Sequence, residues 1–318
     1  MMKMERIISK FTYKYCDIND SFYANVNPNT VWSSVDLLSV FKATYNCEVT
    51  ILFILKNNEL LASIPILYKR YFGLKYIISP LQYYYYFISY YYVKKGKMQR
   101  NRQLEVDITS EIAKVLKRDF FRYEMKLSTE SYDVRSFQVN KNLVKPLYTF
   151  IINTSVRDYS NNQITHIRKA NTIDLKITNE LIIKDCLTLL EDRFEQKGIW
   201  NKERSDIYFK LLKNIYNHDY IKNYSVYYDE KLISYRTVLI DKNKSYAYDW
   251  FAASNSFAMS NGINSFLLDH IICDLNNSNI QYYDLCGANV PTVAKYKNDF
   301  GGELKVYFFI QKKYASIV

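Results

Sequence analysis

Three apolar segments separated by short charged turns restrict the possible folds of this chain most strongly. The segments Tyr224–Tyr228, Leu232–Ile240 and Ser245–Ala252 are joined by Asp229-Glu230-Lys231 and by Asp241-Lys242-Asn243-Lys244. Turns this short connect antiparallel strands, because a parallel connection needs a crossover of a dozen or more residues. The run therefore predicts a three-stranded antiparallel meander in the second half.

Helical and strand-like segments surround this meander in a mixed order. Before it, apolar spacing predicts helices at Ile164–Asn171, Ile183–Gln196 and Arg204–Asn217. After it, the pattern predicts a helix at Asn261–Asn276, a strand at Gln281–Leu285, a helix at Thr292–Asp299 and a strand at Glu303–Lys312. This is not strict βαβ alternation, and no GxGxxG, GxxxxGK or HExxH motif occurs. We therefore expect an α/β protein with a mixed sheet.

The first half follows a looser version of the same plan. It predicts a helix at Ser34–Tyr45, strands at Glu48–Leu55, Leu60–Leu67, Gln82–Val93 and Tyr123–Ser128, and a helix at Leu104–Phe121. A chain of 318 residues also exceeds the usual size of one domain. We therefore expect two tandem units, residues 1–146 and residues 147–318, divided at Pro146.

Cysteine usage and hydropathy predict a cytoplasmic protein. The five cysteines are odd in number and form no CxxC pair, which argues against a disulfide framework or a zinc site. The N-terminus lacks a signal-peptide pattern, and the longest strongly apolar run, Val49–Leu55, is far shorter than the roughly 20 residues of a membrane span. Peripheral contact with the inner membrane face stays open.

Positive charge is concentrated in the first half. Residues 1–150 contain 22 Lys and Arg against 13 Asp and Glu, whereas residues 151–318 contain 21 against 19. Five of the nine residues from 94 to 102 are basic. This segment is either a solvated loop or a surface for a polyanion, such as a nucleotide- or lipid-diphosphate sugar, tRNA or an anionic membrane. DNA is not an expected partner.

The C-terminal region carries a recognisable motif. The sequence YDLCGAN at residues 283–289, followed by KYKNDFGG at residues 295–302, resembles the YDxxGxN…(F/Y)KxxFGG ending of FemAB-like acyltransferases. This family belongs to the GNAT-fold enzymes, so the resemblance implies two tandem GNAT-type units. It also implies transfer of an acyl group, expected to be acetyl, from acyl-CoA to the amine of a nucleotide- or lipid-linked amino sugar during cell-envelope polysaccharide synthesis.

The resemblance leaves two alternatives open. One is an aminoacyl-tRNA-dependent aminoacyltransferase that extends a peptidoglycan precursor, and the other is a non-catalytic protein that binds nucleic acid or membrane. The chain lacks a long heptad hairpin of the kind some bridge-forming members carry, which makes a tRNA donor the less expected choice. Acyl-CoA would be a co-substrate, and neither a permanently bound cofactor nor a metal is implied.

The donor site departs from ordinary GNAT enzymes. Their pyrophosphate loop, (Q/R)xxGx(G/A), is absent, and Ala253–Asn264 stands in its place. Backbone N–H groups at a helix N-terminus bind phosphate well, so Asn261, Gly262 and Asn264 are the predicted donor-binding residues.

Two residues are the predicted catalytic groups. By resemblance, Lys297 matches a lysine whose ammonium would stabilise the oxyanion or a donor phosphate; otherwise it is a solvated helix lysine. Asp249 lies among aromatic residues of the meander and suits a general base for an ammonium nucleophile, or else it is a paired structural acid. Asp284 more simply accepts N–H bonds from the following turn.

Further residues are predicted to contact substrate. Arg236 interrupts an apolar strand, and a buried guanidinium needs an anionic partner, either Asp249 or a substrate phosphate. The remaining candidates could grip acceptor phosphates or stack on sugar rings, although tyrosines on strands commonly serve packing. They are Trp32, Tyr84, Arg168, Tyr248 and Asn289.

Overall fold

The computed structural model describes residues 10–20, 23, 26, 30–92, 97–131, 133–195, 198, 201–216 and 218–312. Its strands are β1 (Thr12–Asp17), β2 (Glu48–Lys56), β3 (Glu59–Tyr71), β4 (Leu74–Ile77), β5 (Ser89–Tyr90), β6 (Arg122–Leu127), β7 (Asn142–Asn153), β8 (Lys176–Thr178), β9 (Ile221–Tyr228), β10 (Lys231–Asp241), β11 (Tyr246–Ser254), β12 (Tyr282–Asp284) and β13 (Glu303–Lys312). Its helices are α1 (Val35–Tyr45), α2 (Met98–Asp119), α3 (Arg135–Val139), α4 (Asn161–Ala170), α5 (Ile183–Glu195), α6 (Lys202–Ile215), α7 (Ser256–Ser260), α8 (Ile263–Asn277) and α9 (Pro291–Asn298). Lys94 and Lys95 of the basic segment lie outside the described residues.

The strands form one mixed sheet, as predicted. Their order is β1-β2-β3-β4-β6-β13-β7-β12-β11-β10-β9-β8, and β5 pairs with β3 off this path. The predicted meander is present as β9, β10 and β11, whose neighbours are antiparallel. The α/β class with a mixed sheet is therefore confirmed.

The same succession of elements occurs twice. An antiparallel meander of β2, β3 and β4 is followed by helix α2 and by strand β6, which lies parallel to β4. In the second half the meander of β9, β10 and β11 is followed by helix α8 and by strand β12, which lies parallel to β11. The protein thus consists of two tandem units of the predicted kind.

The two units exchange strands at the centre of the sheet. β7 follows the first unit along the chain but pairs with β12 of the second, whereas the final strand, β13, pairs with β6 of the first. β7 and β13 also pair with each other over ten residue pairs. The predicted boundary at residue 146 falls inside β7, and the sheet continues across it.

The tyrosine-rich run Gln82–Val93 does not form the strand expected from its composition. Within residues 82–92, the part of the run that the structure describes, only Ser89–Tyr90 pairs as a strand, and Tyr86 makes a single bridge to Leu127. The main chain of Tyr86 instead forms hydrogen bonds beside β6. Its carbonyl accepts from the N–H of Ser128, and its N–H donates to the carbonyl of Lys126. Tertiary bonding of this irregular segment has overridden its strand propensity.

Hydrogen bonds of this run connect the two units. Tyr83 donates to the Trp32 carbonyl at 2.8 Å within the first unit, whereas Tyr85 donates to the Asp284 carboxylate of the second unit at 2.9 Å. The indole N–H of Trp250 donates to the carbonyl of Gln82 at 2.7 Å. Buried aromatic side chains from both units therefore belong to one continuous core.

None of the helices in the described parts of the chain combines the length and the apolar character that crossing a bilayer requires.

Candidate active site

The parallel pair β11–β12 separates soon after it begins. It extends only from Tyr246–Tyr282 to Tyr248–Asp284, although β11 continues to Ser254. Residues 249–254 of β11 therefore have no strand partner on this side within the described chain. An unpaired strand edge presents main-chain N–H and C=O groups to a ligand.

A β-bulge lies at the start of this unpaired edge. In the β10–β11 register, Thr237 pairs with Phe251 and Val238 pairs with Asp249, so Trp250 is the extra residue. A bulge increases the local twist and changes the direction of neighbouring groups, and bulges are common beside active sites. The bulge accounts for the divergence of β11 from β12.

Lys297 on α9 holds the loop that leaves β12. Its ammonium donates to three consecutive carbonyls, those of Leu285, Cys286 at 3.3 Å and Gly287 at 2.7 Å. Burial lowers the pKa of Lys297, while the charge of Asp249 opposes this shift. Lys297 therefore lies at the opening between the strands and is coupled to the Asp249 carboxylate.

Asp249 and Arg236 form a buried ion pair beneath this opening. Both side chains are almost fully buried, and the guanidinium Nη1 donates to the Asp249 carboxylate. Tyr283 donates to the same carboxylate at 3.1 Å, and Arg236 also donates to the Asn264 side chain at 3.0 Å. Burial opposes ionisation of Arg236, but Asp249, Tyr296 and Tyr283 together outweigh it and raise the pKa of the arginine.

This region carries more positive than negative charge. Arg193 on α5 lies close enough to Arg236 and Asp249 to interact electrostatically, and burial together with Arg236 lowers its pKa. The buried Nε of Arg236 has no hydrogen-bond partner among the described residues. Three cations, Arg193, Arg236 and Lys297, thus lie near two carboxylates, Asp249 and Asp284, and the excess of positive charge suits an anionic ligand group.

The predicted donor-binding residues occupy three different environments. Asn261 is half-buried and follows the last residue of α7. Gly262 has φ 73°, and a Cβ there would lie 2.3 Å from the carbonyl oxygen of His166 on α4, so packing of α4 against α8 requires this glycine. Only Asn264, through Arg236, joins the charged cluster.

Two predicted substrate-binding aromatics are packing residues in this structure. Trp32 has no exposed surface, and its ring packs edge-on against Tyr248 at 5.3 Å. Tyr248 is also buried, so neither ring offers a face to a sugar. Tyr84 lies nearer the opening, beside Cys286 and Asp249, with the Lys126 ammonium 5.8 Å from its ring centre.

The remaining predicted contacts lie further out. Arg168 is exposed in the last turn of α4. Asn289 accepts from the main-chain N–H of Tyr148 at 2.9 Å and donates to Tyr307 at 3.2 Å, which fixes the loop after β12 to the central strands. These two residues do not join the charged cluster.

Several residues of this region were not predicted from the sequence. Arg193, Tyr283 and Tyr296 reach the Arg236–Asp249 pair from three different elements. Arg193 stands among ordinary charged residues of an amphipathic helix, so no local signal distinguishes it. Tyr283 directly precedes the Asp284 of the terminal motif, and its place in that motif could have marked it.

The Cys286 thiol is an unsuitable nucleophile. Burial and the nearby Asp284 carboxylate hold its pKa well above the usual value. Asp284 itself accepts hydrogen bonds from Thr149, Tyr85 and the N–H of Cys286, and so has a structural role. Within the described residues, no group of three or more His, Cys, Asp or Glu side chains is arranged to hold a metal.

A cavity of about 1050 Å³ lies between α2 and the beginning of the β11–β12 pair. Gln103, Glu105, Arg135, Tyr246 and Tyr282 are among its walls. It combines amide, charged and aromatic groups, which suits a sugar or peptide better than an apolar ligand. Tyr246 lies three residues before the unpaired edge of β11, so the cavity and the charged cluster border the same pair of strands.

A second cavity, of about 900 Å³, lies at the β8 edge of the sheet and contains none of the predicted site residues.

No protein-family model and no curated protein sequence matches the chain. Solved structures do match it. FemX is similar with a TM-score of 0.65 at 10% identity, covering 93% of this chain and 96% of that one. L-PGS from Bacillus licheniformis is similar with a TM-score of 0.53 at 7% identity, covering 88% of each chain.

The C-terminal domain of a protein from Agrobacterium fabrum, assigned as a lysylphosphatidylglycerol synthetase, is similar with a TM-score of 0.51 at 10% identity. The match covers 88% of this chain and 87% of that one. At such identities these matches establish the fold and not the activity. The chain therefore has the fold of FemX, which is the FemAB-like fold that its terminal motif predicted.

Proposed function

We propose that this protein transfers an acyl group to an amine, with the donor held at the unpaired edge of β11. The observation that carries this proposal is the end of β11–β12 pairing at Tyr248–Asp284, directly beside Lys297 and the buried cation cluster. Main-chain groups of residues 249–254 can align a donor carbonyl, and aligned donors favour reaction by reducing its entropic cost.

The charged residues support separate roles in this reaction. The amine would attack the donor carbonyl, the donor's thiol or hydroxyl would leave, and the amine's proton would pass to a base. Lys297 would stabilise the oxyanion or a donor phosphate once a ligand replaces a loop carbonyl. Asp249 already accepts from Arg236 and Tyr283, so as a base it would have to give up one of these bonds.

For the substrates, we propose acyl-CoA as donor and a nucleotide- or lipid-linked amino sugar as acceptor. The cavity beside α2 supports an acceptor site bordered by the first unit, because its polar and aromatic walls suit a sugar. The cation cluster supports a donor with phosphate groups. A cytoplasmic location would give access to both substrates.

Aminoacyl-tRNA is the second candidate donor. The fold similarity to a lysylphosphatidylglycerol synthetase, which by its name makes an aminoacylated lipid, favours this reading. Both donors carry an activated carbonyl and phosphate groups, although in acyl-CoA the pantetheine arm separates the two. The unpaired edge of β11 would therefore hold the carbonyl of either donor.

A turnover assay distinguishes these donors. The purified protein is incubated with acetyl-CoA and nucleotide amino sugars, with release of free thiol as readout, and separately with charged tRNA and a peptidoglycan-precursor amine. If the protein is a CoA-dependent enzyme, we expect free thiol to be released only when the acceptor is present. Absence of turnover with either donor, together with steeply salt-dependent binding of nucleic acid or vesicles, would instead support a non-catalytic binding protein.

Lys297→Ala tests the catalytic assignment. Loss of one charge-assisted donor from an oxyanion site lowers kcat by roughly 10²–10³. Lys295→Ala is the matched control, because Lys295 lies on the same helix and its side chain is exposed. Equal activities of the two variants would remove Lys297 from the mechanism.

A further inference from the structure

The turn between β3 and β4 exposes a cluster of large apolar side chains, here called the hairpin tip. Phe72 is 104% exposed, and Tyr71, Leu74 and Phe121 are each about half exposed. Tyr76 connects two of them, with its ring centre 5.4 Å from that of Tyr71 and 5.4 Å from that of Phe121. Tyr71, Tyr76 and Phe121 therefore form a continuous aromatic surface, and Phe72 and Leu74 are exposed beside it.

Folding alone does not account for Phe72. It occupies the first position of a two-residue turn with φ 50°, followed by Gly73 with φ 78°. Such turns strongly prefer Asn, Asp or Gly at this position, because a bulky side chain is strained at positive φ. Because Phe72 is fully exposed, no burial within the chain compensates for this strain. The aromatic ring therefore has a role other than stabilising the fold.

Basic residues surround the base of the hairpin tip. Lys69, Arg70 and Lys75 lie on β3 and β4, Arg122 pairs with Tyr76, and Arg118 lies over the ring of Tyr13 on β1. The nearby carboxylates Glu48, Asp119 and Glu124 are each paired with one of these arginines. Lys69 and Lys75, on neighbouring strands, have no carboxylate of this set as a salt-bridge partner. The Lys75 ammonium lies over the rings of Tyr15, Tyr68 and Phe120, so Lys69 is the cation beside the apolar tip.

We propose that the hairpin tip inserts into the surface of an anionic lipid bilayer. The side chains follow the polarity of such a surface: Phe72 lies in the turn, Tyr71 and Leu74 form the first pair behind it, and the pairs Arg70–Lys75 and Lys69–Tyr76 follow. Phenylalanine and leucine enter the acyl boundary, tyrosine prefers the headgroup level, and lysine and arginine bind lipid phosphates. This inference goes beyond acyl transfer and does not depend on it.

Vesicle flotation of the full-length protein tests the proposal. Vesicles of phosphatidylcholine with one quarter phosphatidylglycerol are compared with pure phosphatidylcholine, and binding is expected only to the former at low salt. Phe72→Asn should weaken partitioning by roughly tenfold or more, because a buried phenylalanine contributes strongly to binding. Phe209→Gln, at a half-exposed phenylalanine on α6, is the matched control and should bind as the wild type does.

The same variant separates membrane binding from a structural role. Asparagine is favoured at positive φ, so Phe72→Asn should keep or raise the thermal midpoint while binding is lost. Equal vesicle binding by wild type and Phe72→Asn, or no binding by either, would overturn the proposal. It would also be overturned if the wild type self-associates without vesicles and Phe72→Asn abolishes this, because the tip would then bind a second copy of the chain.

Discussion

At the residue scale, the buried ion pair was partly predictable. Arg236 interrupts an apolar strand, and this position alone indicates a need for a buried anion. The sequence leaves Asp249 or a substrate phosphate as the anionic partner of Arg236, and in the structure the partner is Asp249. Arg193 and Tyr283 approach the pair from other elements, and no local pattern encodes contacts of such long sequence separation.

Removal of one member of this pair should destabilise the protein more than removal of both. Asp249→Ala leaves the Arg236 guanidinium buried without its counter-charge, at an expected cost of about 3–5 kcal/mol in the free energy of unfolding. The double variant Arg236→Met/Asp249→Leu should recover part of this loss, because it also removes the guanidinium that Asp249→Ala leaves unpaired. Denaturant unfolding of both variants provides the measurement.

If the double variant were as unstable as Asp249→Ala, the unpaired charge of Arg236 would not be the cause of the lost stability. The loss would then come from the changed shape of the side chains.

At the element scale, the structure explains why the terminal motif contains two consecutive glycines. Gly301 has φ 72°, and a Cβ there would lie 2.4 Å from the carbonyl oxygen of Asp158. A Cβ on Gly302 would lie 3.1 Å from the side chain of Phe150 on β7. The two glycines thus let the turn between α9 and β13 pack closely against the segment before α4 and against β7, which keeps Lys297 at the opening.

Alanine substitution separates conformational strain from this close packing. Gly73→Ala and Gly301→Ala both place a Cβ at positive φ, which costs about 1–2 kcal/mol. Only Gly301→Ala also meets main-chain atoms, since nothing lies within 4 Å of the Cβ position at Gly73. We expect Gly301→Ala to lose about 1–3 kcal/mol more, the usual cost of overpacking.

Thermal or denaturant unfolding measures the difference between these variants. Similar losses of stability for both would mean that the turn at Gly301 moves away from Asp158 without cost.

At the scale of the whole molecule, the sequence predicted the contents of each unit better than their connection. Periodicity and turn chemistry located the meander and most helices, because these patterns are local. The exchange of β7 and β13 and the irregular course of the tyrosine run depend on pairing between distant segments. Such pairing leaves no periodic signal in a single sequence.

Fragments divided at residue 146 should not fold separately. Residues 1–146 lack β13, the neighbour of β6, and lack the Asp284 carboxylate that accepts from Tyr85. Residues 147–318 lack the first part of β7. We expect cooperative unfolding only when the fragments are expressed together, as monitored by near-ultraviolet circular dichroism. Cooperative unfolding of residues 1–146 alone would contradict this.

Hydrogen–deuterium exchange tests the central claim, that the unpaired edge of β11 holds the acyl donor, most directly. One sample receives acetyl-CoA and another receives an aminoacyl-tRNA, and amide exchange is followed along the chain. The account predicts slower exchange at residues 249–254 and 285–288 with the donor that supports turnover. Slower exchange confined to other segments, with these residues unchanged, would contradict it.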